Sequence, residues 1–254
     1  MSFRLFTYFR CTLYPAMFKA IVVTPVKDAI ENTLETIKAI YASQIEVKHL
    51  VYNDFSTAAT KQLLEENKDK YGYELIHLED LTDTPSPNYK LVLQDAQRRA
   101  LEAELPLIIV ESDVEVTATT FSELLDFHDK HGQIGLLGAI TVGHDGEINF
   151  PYLKFKDYRN HRGVIETEKS LSFCCTLMSP ALLKQYDFKQ LKPSKDWFDT
   201  FISRQSLALG FKNVVLTGTR VLHKPHGSRP WKQVKYSNPV KYYLLKFIKR
   251  RDKI

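Results

Sequence analysis

Acidic residues at alternate positions follow a short apolar run and are the strongest candidates for chemistry in this sequence. The run LIIV at 107–110 is typical of a buried strand, and it continues directly into the segment ESDVE at 111–115. Because residues two apart on an extended chain point the same way, Glu111, Asp113 and Glu115 can share one acidic face. Carboxylates in this arrangement suit Mg²⁺ or Mn²⁺, which proteins hold with one or two carboxylates and substrate phosphates. A solvated acidic turn without a ligand is the alternative interpretation.

A second acidic strand end occurs earlier in the chain, in the segment VYNDFST at 51–57. Asp54 can accept hydrogen bonds from a base or a ribose, with Ser56 or Thr57 as the N-cap of a following helix. By itself, a capped helix without a ligand explains this segment equally well. Two such strand ends in one chain favour a ligand site, because parallel strands would bring Asp54 and Asp113 to the same edge of a sheet.

Strand-like and helix-like segments alternate through the first half of the chain, and this alternation determines where the acids must lie. Short β-branched runs predict strands at 19–24, 47–52, 74–77 and 107–110, with later strands near 171–178, 214–216 and 220–223. Amphipathic stretches predict helices at 29–41, 58–71, 90–104, 119–130 and 196–209. The pattern predicts an α/β fold with a mostly parallel central sheet, helices on both faces and a less regular second half. Ligands bind such sheets beyond the carboxyl ends of the strands, here the loops at 24–28, 53–57 and 111–113.

The composition bounds the class of protein. The chain has 254 residues, 44% of them hydrophobic and 26% charged, so it can bury one substantial domain and differs from disordered proteins. Its three cysteines, Cys11 and the adjacent Cys174 and Cys175, are too few for a disulfide framework, and we expect the adjacent pair to belong to the core. The apolar runs are shorter than the ~20 residues needed to cross a bilayer, and the first residues lack an apolar segment followed by a small-residue cleavage site. Together these features predict a cytoplasmic protein.

The net charge of +5 is concentrated at the two ends of the chain. Residues 229–254 contain nine Lys or Arg and one Asp, residues 1–19 contain three basic residues and no acid, and the region between them is acidic. The basic isoelectric point therefore does not favour nucleic-acid binding by the whole chain. A nucleic-acid-binding protein that uses the basic C-terminal end stays open as an alternative of a different class.

The C-terminal segment has the pattern of a basic amphipathic helix. Apolar side chains share one helical stripe at Val240, Tyr243, Leu244, Phe247 and Ile248. Lysines and arginines lie away from that stripe. Residues 238–251 therefore predict peripheral contact with an anionic membrane at its inner face, where a lipid-linked substrate would be within reach. The alternative is a terminal helix that packs on the domain with solvated lysines.

The motifs, taken in order, resemble the family 2-like inverting glycosyltransferases of the GT-A fold over residues 18–229. That family opens with an apolar strand and Pro or Thr, carries VVDDGSTD at its second strand and has D-x-D after a later strand. This chain has IVVTPV, VYNDFSTA and VESDVEV in the same order. The family then shows an acidic helix start, an Arg, a Gly and H-x-x-G-S, and this chain has Asp199, Arg204, Gly210 and LHKPHGS at 222–228.

The resemblance implies an enzyme that transfers a hexose from a nucleotide-diphosphate sugar, with UDP-sugars favoured, to a saccharide or lipid-linked acceptor, as in polysaccharide biosynthesis. It implies Mn²⁺ or Mg²⁺ held by Asp113, Glu111 and His223. It implies nucleotide-sugar contacts at Thr24, Pro25, Val26, Asp54, Glu111, Ser112, Lys224 and Arg229. In that set, Pro25 and Val26 line the base pocket, Asp54 bonds the base, and Glu111 faces the ribose or the metal.

Three positions depart from the family pattern. Asn53 stands in place of the first Asp, Phe55 in place of Gly, and Glu111 in place of the first acid of D-x-D.

The resemblance also divides the chain into an N-terminal extension or arm, a GT-A domain with a nucleotide-binding and an acceptor half, and a basic tail. The extension covers residues 1–17 and the tail covers residues 230–254. Within the domain, the nucleotide-binding half covers 18–116 and the acceptor half covers 117–229.

An inverting transfer needs a carboxylate that takes the proton from the acceptor hydroxyl as it attacks the anomeric carbon. Asp199 stands at the family's interval from Gly210, and Asp196 lies one helical turn before it. We expect Asp199 to be the base, with Asp196 as the second candidate. The alternative is that both acids only stabilise the first turn of a helix through its dipole.

Other enzyme classes lack their sequence signatures here. A dinucleotide-binding dehydrogenase needs a glycine-rich first turn between strand and helix, and this chain has TPVKDAIENT there. A nucleotidyltransferase that makes sugar nucleotides shares the acidic strand end but also needs a glycine-rich basic loop. It stays open as an alternative, together with a non-catalytic protein that binds a sugar nucleotide.

Overall fold

The computed structural model describes residues 18–192, 197–224 and 238–248. The strands are β1 Ile21–Val26, β2 Lys48–Asn53, β3 Glu74–His77, β4 Leu107–Val110, β5 Val114–Glu115, β6 Ile134–Val142, β7 Val164–Glu166, β8 Cys175–Met178 and β9 Lys212–His223. The α-helices are α1 Ile30–Tyr41, α2 Ala58–Tyr71, α3 Tyr89–Ala103, α4 Thr120–Lys130, α5 Pro180–Gln185, α6 Phe198–Ala208 and α7 Pro239–Ile248. Short 3₁₀ segments lie at Leu78–Asp80, Tyr152–Tyr158 and Phe188–Gln190.

The strands form one mixed sheet in the order β3-β2-β1-β4-β8-β6-β9-β5, with β7 paired to β9. Strands β3, β2, β1 and β4 run parallel, as the alternating pattern of the first half predicts. Strand β8 then pairs antiparallel with both β4 and β6, and β6 runs parallel to β9. The predicted α/β class is confirmed, and the second half of the sheet adds the antiparallel pairs.

Helices cover both faces of the sheet, and β4 shows why its sequence is a continuous apolar run. Leu107 and Ile109 belong to the core cluster on the side of α3, α5 and α6, whereas Ile108 and Val110 belong to the cluster on the side of α1 and α4. All four are fully buried. Because successive strand residues point to opposite faces, a strand covered on both sides needs apolar residues at every position.

Most predicted elements agree with the structure to within a few residues, but some differ. Strand β6 carries nine buried residues and lies between β8 and β9, yet the sequence pattern predicted no strand there. The two predicted strands near 214–216 and 220–223 are one long strand, β9, and the strand predicted near 171–178 is regular only as β8. Gly210 follows helix α6 with φ 82°, the left-handed conformation in which a glycine commonly ends a helix.

None of the helices in the described ranges is both long enough and apolar enough to cross a membrane.

Candidate functional site

The loops that follow β1 and β2 are joined by backbone and side-chain hydrogen bonds. The Asp54 N–H donates to the Val26 carbonyl at 2.9 Å. The Asp28 N–H donates to Ser56 Oγ at 3.0 Å, and the Thr57 N–H donates to Asp28 Oδ1 at 2.8 Å. The carboxyl ends of the first two parallel strands therefore form one braced unit, as predicted for neighbouring strands of a parallel sheet.

Two of the predicted nucleotide-sugar residues in the first loop have their side chains in the protein interior. Thr24 Oγ1 lies 3.0 Å from Nε2 of His49, and both residues are buried. Burial lowers the pKa of His49 to about 3, so this ring is neutral. Val26 packs with Val51 and Leu64 in a core cluster, and Pro25 is half-buried. The contribution of these residues to nucleotide-sugar binding stays a prediction.

The carboxylate of Asp54 holds the segment that leads into α3. Asp54 Oδ2 accepts hydrogen bonds from Ser86 Oγ at 2.7 Å and from the Asn88 N–H at 2.9 Å, and Oδ1 accepts one from Asn88 Nδ2 at 2.9 Å. A carboxylate offers about four lone-pair sites, so these three bonds use most of its capacity. Asp54 lies at the predicted edge of the sheet, where its hydrogen bonds hold the loop before α3. Its recognition of a base stays a prediction.

The departures at Asn53 and Phe55 have local physical reasons. His77 Nε2 lies 2.8 Å from Glu65 Oε1, a carboxylate oxygen that accepts a hydrogen bond from the Nε2–H group, so in this tautomer His77 Nδ1 is an acceptor. Asn53 Nδ2 donates to that nitrogen at 2.9 Å, which an Asp carboxylate could not do. Phe55 has φ 54°, in the left-handed region that favours glycine, and glycine is the residue that the resemblance has at this position.

The third strand end joins residues that are far apart in the sequence. After β4, the Glu111 N–H donates to the Cys174 carbonyl at 3.1 Å, and the chain turns into β5. Strand β5 pairs with β9 so that Val114 lies opposite His223. This register places Asp113 Oδ1 3.7 Å from His223 Nε2, with both side chains almost fully buried. The structure therefore brings together the predicted metal residues Asp113 and His223.

The orientation and tautomer of His223 follow from its other neighbour. His223 Nδ1 lies 2.6 Å from the Phe150 carbonyl, which can only accept a hydrogen bond, so Nδ1 carries the proton. In the neutral ring, Nε2 then presents its lone pair toward Asp113. A histidine fixed in this way by a backbone carbonyl is typical of metal ligands. Two ligand atoms about 2.0–2.2 Å from one ion stand about 3–4 Å apart, which agrees with the observed separation.

Glu111 and Cys174 complete a group of possible ligands around this histidine. One ligand atom from each of Glu111, Cys174 and His223 lies within 4.8 Å of the others. Cys174 Sγ is 3.4 Å from Glu111 Oε2. Cys174 is buried in the core cluster, as predicted, but its place beside the acids was not predicted. That place depends on the pairing of β8 with β4, which no local pattern in the sequence reveals.

The remaining acid and the lysine of this region pair with each other. Lys224 Nζ forms ion pairs with Glu115 of β5 and Glu35 of α1, and desolvation by burial lowers its pKa. Glu115 therefore contacts Lys224, whereas Glu111 lies with His223 and Cys174. Ser112 is half-buried in the turn between β4 and β5. The predicted diphosphate contact of Lys224 stays a prediction, and Arg229 lies outside the described residues.

Asp199 lies in the first turn of α6, in the half of the chain that the resemblance assigns to the acceptor. Its Oδ1 accepts a hydrogen bond from the Thr200 N–H at 2.7 Å. Burial raises the pKa of Asp199, and the nearby charge of Lys154 partly offsets this effect. A carboxylate with a raised pKa is a stronger base than an ordinary Asp. Asp196, the second candidate, lies outside the described residues.

Tyr89 lies near Glu111 and Asp199 and was not among the predicted site residues. Its ring stacks on Phe173 and Phe198, with centroids 6.4 and 6.2 Å away. The hydroxyl is buried and makes no hydrogen bond to any residue in the described ranges. Burial, together with the nearby charges of Glu111 and Asp199, holds the pKa of Tyr89 well above its usual range. Its position at the start of α3 offered no sequence signal for this role.

Solved structures of similar shape identify the fold. The mannosyltransferase PcManGT from Pyrobaculum calidifontis, in complex with GDP-Man and Mn²⁺, superposes with a TM-score of 0.64 at 12% identity, covering 89% of this chain and 63% of that one. S. aureus TarS 1–349 gives 0.61 at 20% identity, covering 82% and 60%. The same TarS fragment with UDP gives 0.59 at 17% identity, covering 86% and 64%. The chain has a GT-A-type glycosyltransferase fold.

The likeness to these proteins is one of fold. The chain spans about 60% of the length of the similar structures, and its sequence identity to them is 20% or less. No protein-family model matches the chain, and no curated protein matches it in sequence. Activity and substrates must therefore be argued from the site itself.

Proposed function

We propose that the chain is a glycosyltransferase that moves a sugar from a nucleotide-diphosphate sugar to a hydroxyl of a saccharide or lipid-linked acceptor, with inversion at the anomeric carbon. The observation that carries this proposal is the approach of Asp113 to His223 beside Glu111, at the edge where the parallel strands end. The structures of similar fold with GDP-Man, Mn²⁺ and UDP support it. A UDP-sugar is our favoured substrate, on the motif resemblance.

The residues at this edge fit a divalent metal ion. Asp113 and Glu111 supply carboxylates, and His223 supplies a ring nitrogen whose tautomer is fixed by Phe150. Carboxylates suit both Mg²⁺ and Mn²⁺, and the imidazole favours Mn²⁺ of the two. When bound, the ion supplies positive charge that stabilises the leaving diphosphate. Thr24, Pro25, Val26, Asp54, Ser112, Lys224 and Arg229 are proposed for the remaining contacts to the nucleotide sugar.

Asp199 is our proposed general base. It would take the proton from the acceptor hydroxyl, and its raised pKa suits that task. Tyr89 lies close enough to Glu111 and Asp199 for both charges to raise its pKa, and its hydroxyl is buried. Asp196 stays the second candidate for the base.

Calorimetry tests the proposal directly. We expect UDP to bind the wild type in the presence of Mn²⁺ and to bind much more weakly without it, with GDP as the comparison nucleotide. Asp113→Ala should weaken Mn²⁺-dependent UDP binding at least about tenfold, which corresponds to about 1.4 kcal/mol. The matched control is Asp129→Ala, an exposed acid on α4 that should leave binding unchanged. Nucleotide binding that is absent, or that ignores both the metal and Asp113→Ala, would contradict the proposal.

The exposed face of α7 supports a further part of the proposal, peripheral contact with an anionic membrane. Val240, Tyr243 and Leu244 are 78%, 56% and 57% exposed at positions i, i+3 and i+4 of the helix. Lys241 is exposed beside them, and the sequence continues with basic residues at 246 and 249–251. Apolar side chains flanked by lysines suit the interface of an anionic bilayer, where a lipid-linked acceptor would lie.

Vesicle sedimentation tests the membrane contact. We expect the protein to bind vesicles that contain phosphatidylglycerol and to bind phosphatidylcholine vesicles weakly. Val240→Ser with Leu244→Ser should reduce binding, whereas Leu81→Ser, a 51% exposed leucine elsewhere, should not. Equal binding to both kinds of vesicle, or equal binding by both variants, would count against this contact.

A further inference from the structure

The two adjacent cysteines of the chain lie in different surroundings. Cys174 Sγ is 3.4 Å from Glu111 Oε2 and 3.4 Å from Ser172 Oγ. Burial and the charges of Glu111 and Asp113 raise the pKa of the Cys174 thiol well above its usual range. Burial alone raises the pKa of Cys175, to about 12. Of these two thiols, Cys174 is the one that contacts Glu111 and belongs to the group of ligand-type residues around His223.

We propose that Cys174 is a ligand through which this site binds a thiophilic divalent ion such as Zn²⁺, in competition with the ion that supports sugar transfer. The group offers a carboxylate oxygen from Glu111, a ring nitrogen from His223 and a sulfur from Cys174. These are three ligand types of tetrahedral zinc sites, and Asp113 lies next to them. Zinc binding rests only on this geometry, whereas its inhibitory effect rests on the proposed function.

The separation of Cys174 from Glu111 fits this ion. Oxygen and sulfur ligands lie about 2.0 and 2.3 Å from zinc, so in a tetrahedral site they stand about 3.5 Å apart. Cys174 Sγ and Glu111 Oε2 are 3.4 Å apart. On binding, the thiol S–H bond breaks, the sulfur forms a bond to the ion with the electron pair of that bond, and the proton passes to solvent. No electron transfer is involved.

The chemical difference between the ions gives the competition its direction. Mg²⁺ and Mn²⁺ favour oxygen ligands, whereas thiolate favours Zn²⁺ and Cd²⁺. A site of oxygen and nitrogen ligands already binds Zn²⁺ more tightly than Mn²⁺, and a thiolate adds to that preference. Zinc bound across Glu111 and His223 would occupy the ligands that the proposed function assigns to Mn²⁺.

Cadmium reports this contact without any assay of activity. The metal-stripped full chain is titrated with Cd²⁺, and the ultraviolet thiolate-to-cadmium charge-transfer absorption is followed. We expect the wild type and Cys175→Ser to give a band that saturates at one ion per chain. Cys174→Ser should lose the band, and its affinity for Zn²⁺ should fall by more than the roughly 10–100-fold that loss of an outer-shell partner costs.

A double variant keeps the test decisive if Cys174→Ser does not fold. Cys11→Ser with Cys175→Ser leaves Cys174 as the sole thiol of the chain. This variant must keep the full band. A band that is absent in the wild type or in the double variant, or that persists in folded Cys174→Ser, overturns the proposal.

Competition is measured separately from binding. The electron paramagnetic resonance signal of free Mn²⁺ shows how much Mn²⁺ the protein holds, and added Zn²⁺ should release it from the wild type and from Cys175→Ser. If Zn²⁺ binds while Mn²⁺ stays bound, the shared site is wrong. If the cadmium band appears but neither UDP nor Mn²⁺ binds, the glycosyltransferase proposal fails while the thiolate site stands.

Discussion

The strand ends at Asp54 and at Asp113 occupy the same edge of the sheet but use their carboxylates differently. Asp54 accepts three hydrogen bonds from Ser86 and Asn88, so its charge is used within the fold. Asp113 Oδ1 lies 3.7 Å from His223 Nε2, whose other ring nitrogen is held by the Phe150 carbonyl, and this arrangement suits a positive ion between them. An acid at a strand end is therefore a candidate ligand only when its neighbours are also of ligand type.

The largest expected effect tests whether the Asp113 end works with Asp199 in one reaction. Asp199→Asn removes the proposed base, so the transfer rate should fall about 10²–10⁴-fold. Binding of UDP with Mn²⁺ should persist, because Asp199 lies on α6 and is not one of the proposed metal ligands. Turnover and calorimetry on the same preparation measure both. Retained turnover in Asp199→Asn would move the base to Asp196. A wild-type protein that binds UDP but transfers no sugar would favour a non-catalytic binder of sugar nucleotides.

The next effect compares the two strand ends in stability. Asp54→Ala leaves the Asn88 N–H and one hydrogen of Asn88 Nδ2 without an acceptor, while Nδ2 keeps its bond to the Thr84 carbonyl. The free energy of unfolding should fall by about 3 kcal/mol. Asp113→Ala in the metal-free protein should cost at least about 1 kcal/mol less than that, because it removes a carboxylate from a group of acids. Urea unfolding followed by circular dichroism measures both. Equal losses would mean that the two ends do not differ in the way described.

Asn53→Asp should have a smaller effect on stability, at the carboxyl end of β2. The change restores the family's residue but places a carboxylate against the acceptor nitrogen of His77. We expect a loss of about 1–2 kcal/mol at neutral pH, because an amide donor is replaced by an acceptor. Asn160→Asp, at an exposed position, is the control and should stay within about 0.5 kcal/mol of wild type. Unchanged stability in Asn53→Asp would show that the bond to His77 contributes little.

The strands in the first half of the sheet could be predicted from the sequence because they are covered on both faces. The apolar run of β4 and the acids after it reflect one physical fact, a parallel strand that is buried until it reaches the ligand edge. Strand β6 was missed because glycine lowers the strand signal of its segment. Gly138 is required there by packing, since a Cβ would lie 2.7 Å from Tyr152 Oη.

Long-range register accounts for the parts of the site that the sequence pattern missed. The motif resemblance named Asp113 and His223, but their approach depends on the β5–β9 register that pairs Val114 with His223. Cys174 reaches Glu111 because β8 pairs with β4, with Cys175 opposite Val110. Pairings of this kind are set by the whole core, so a local apolar run such as the one around Cys174 predicts burial and nothing about its neighbours.

The smallest expected effect is a shift in the acid limb of the pH profile. A general base must be deprotonated, so the transfer rate falls as the pH drops through the pKa of the base and is half lost at that pKa. Burial raises the pKa of Asp199, so the fall should begin at a higher pH than the value of about 3.9 for an unperturbed Asp would give. Rates at saturating Mn²⁺ and substrates, measured where the protein stays folded, give the profile. A rate that stays flat down to about pH 4 would argue that a less buried group takes the proton, and would separate Asp199 from the chemistry at the Asp113 end.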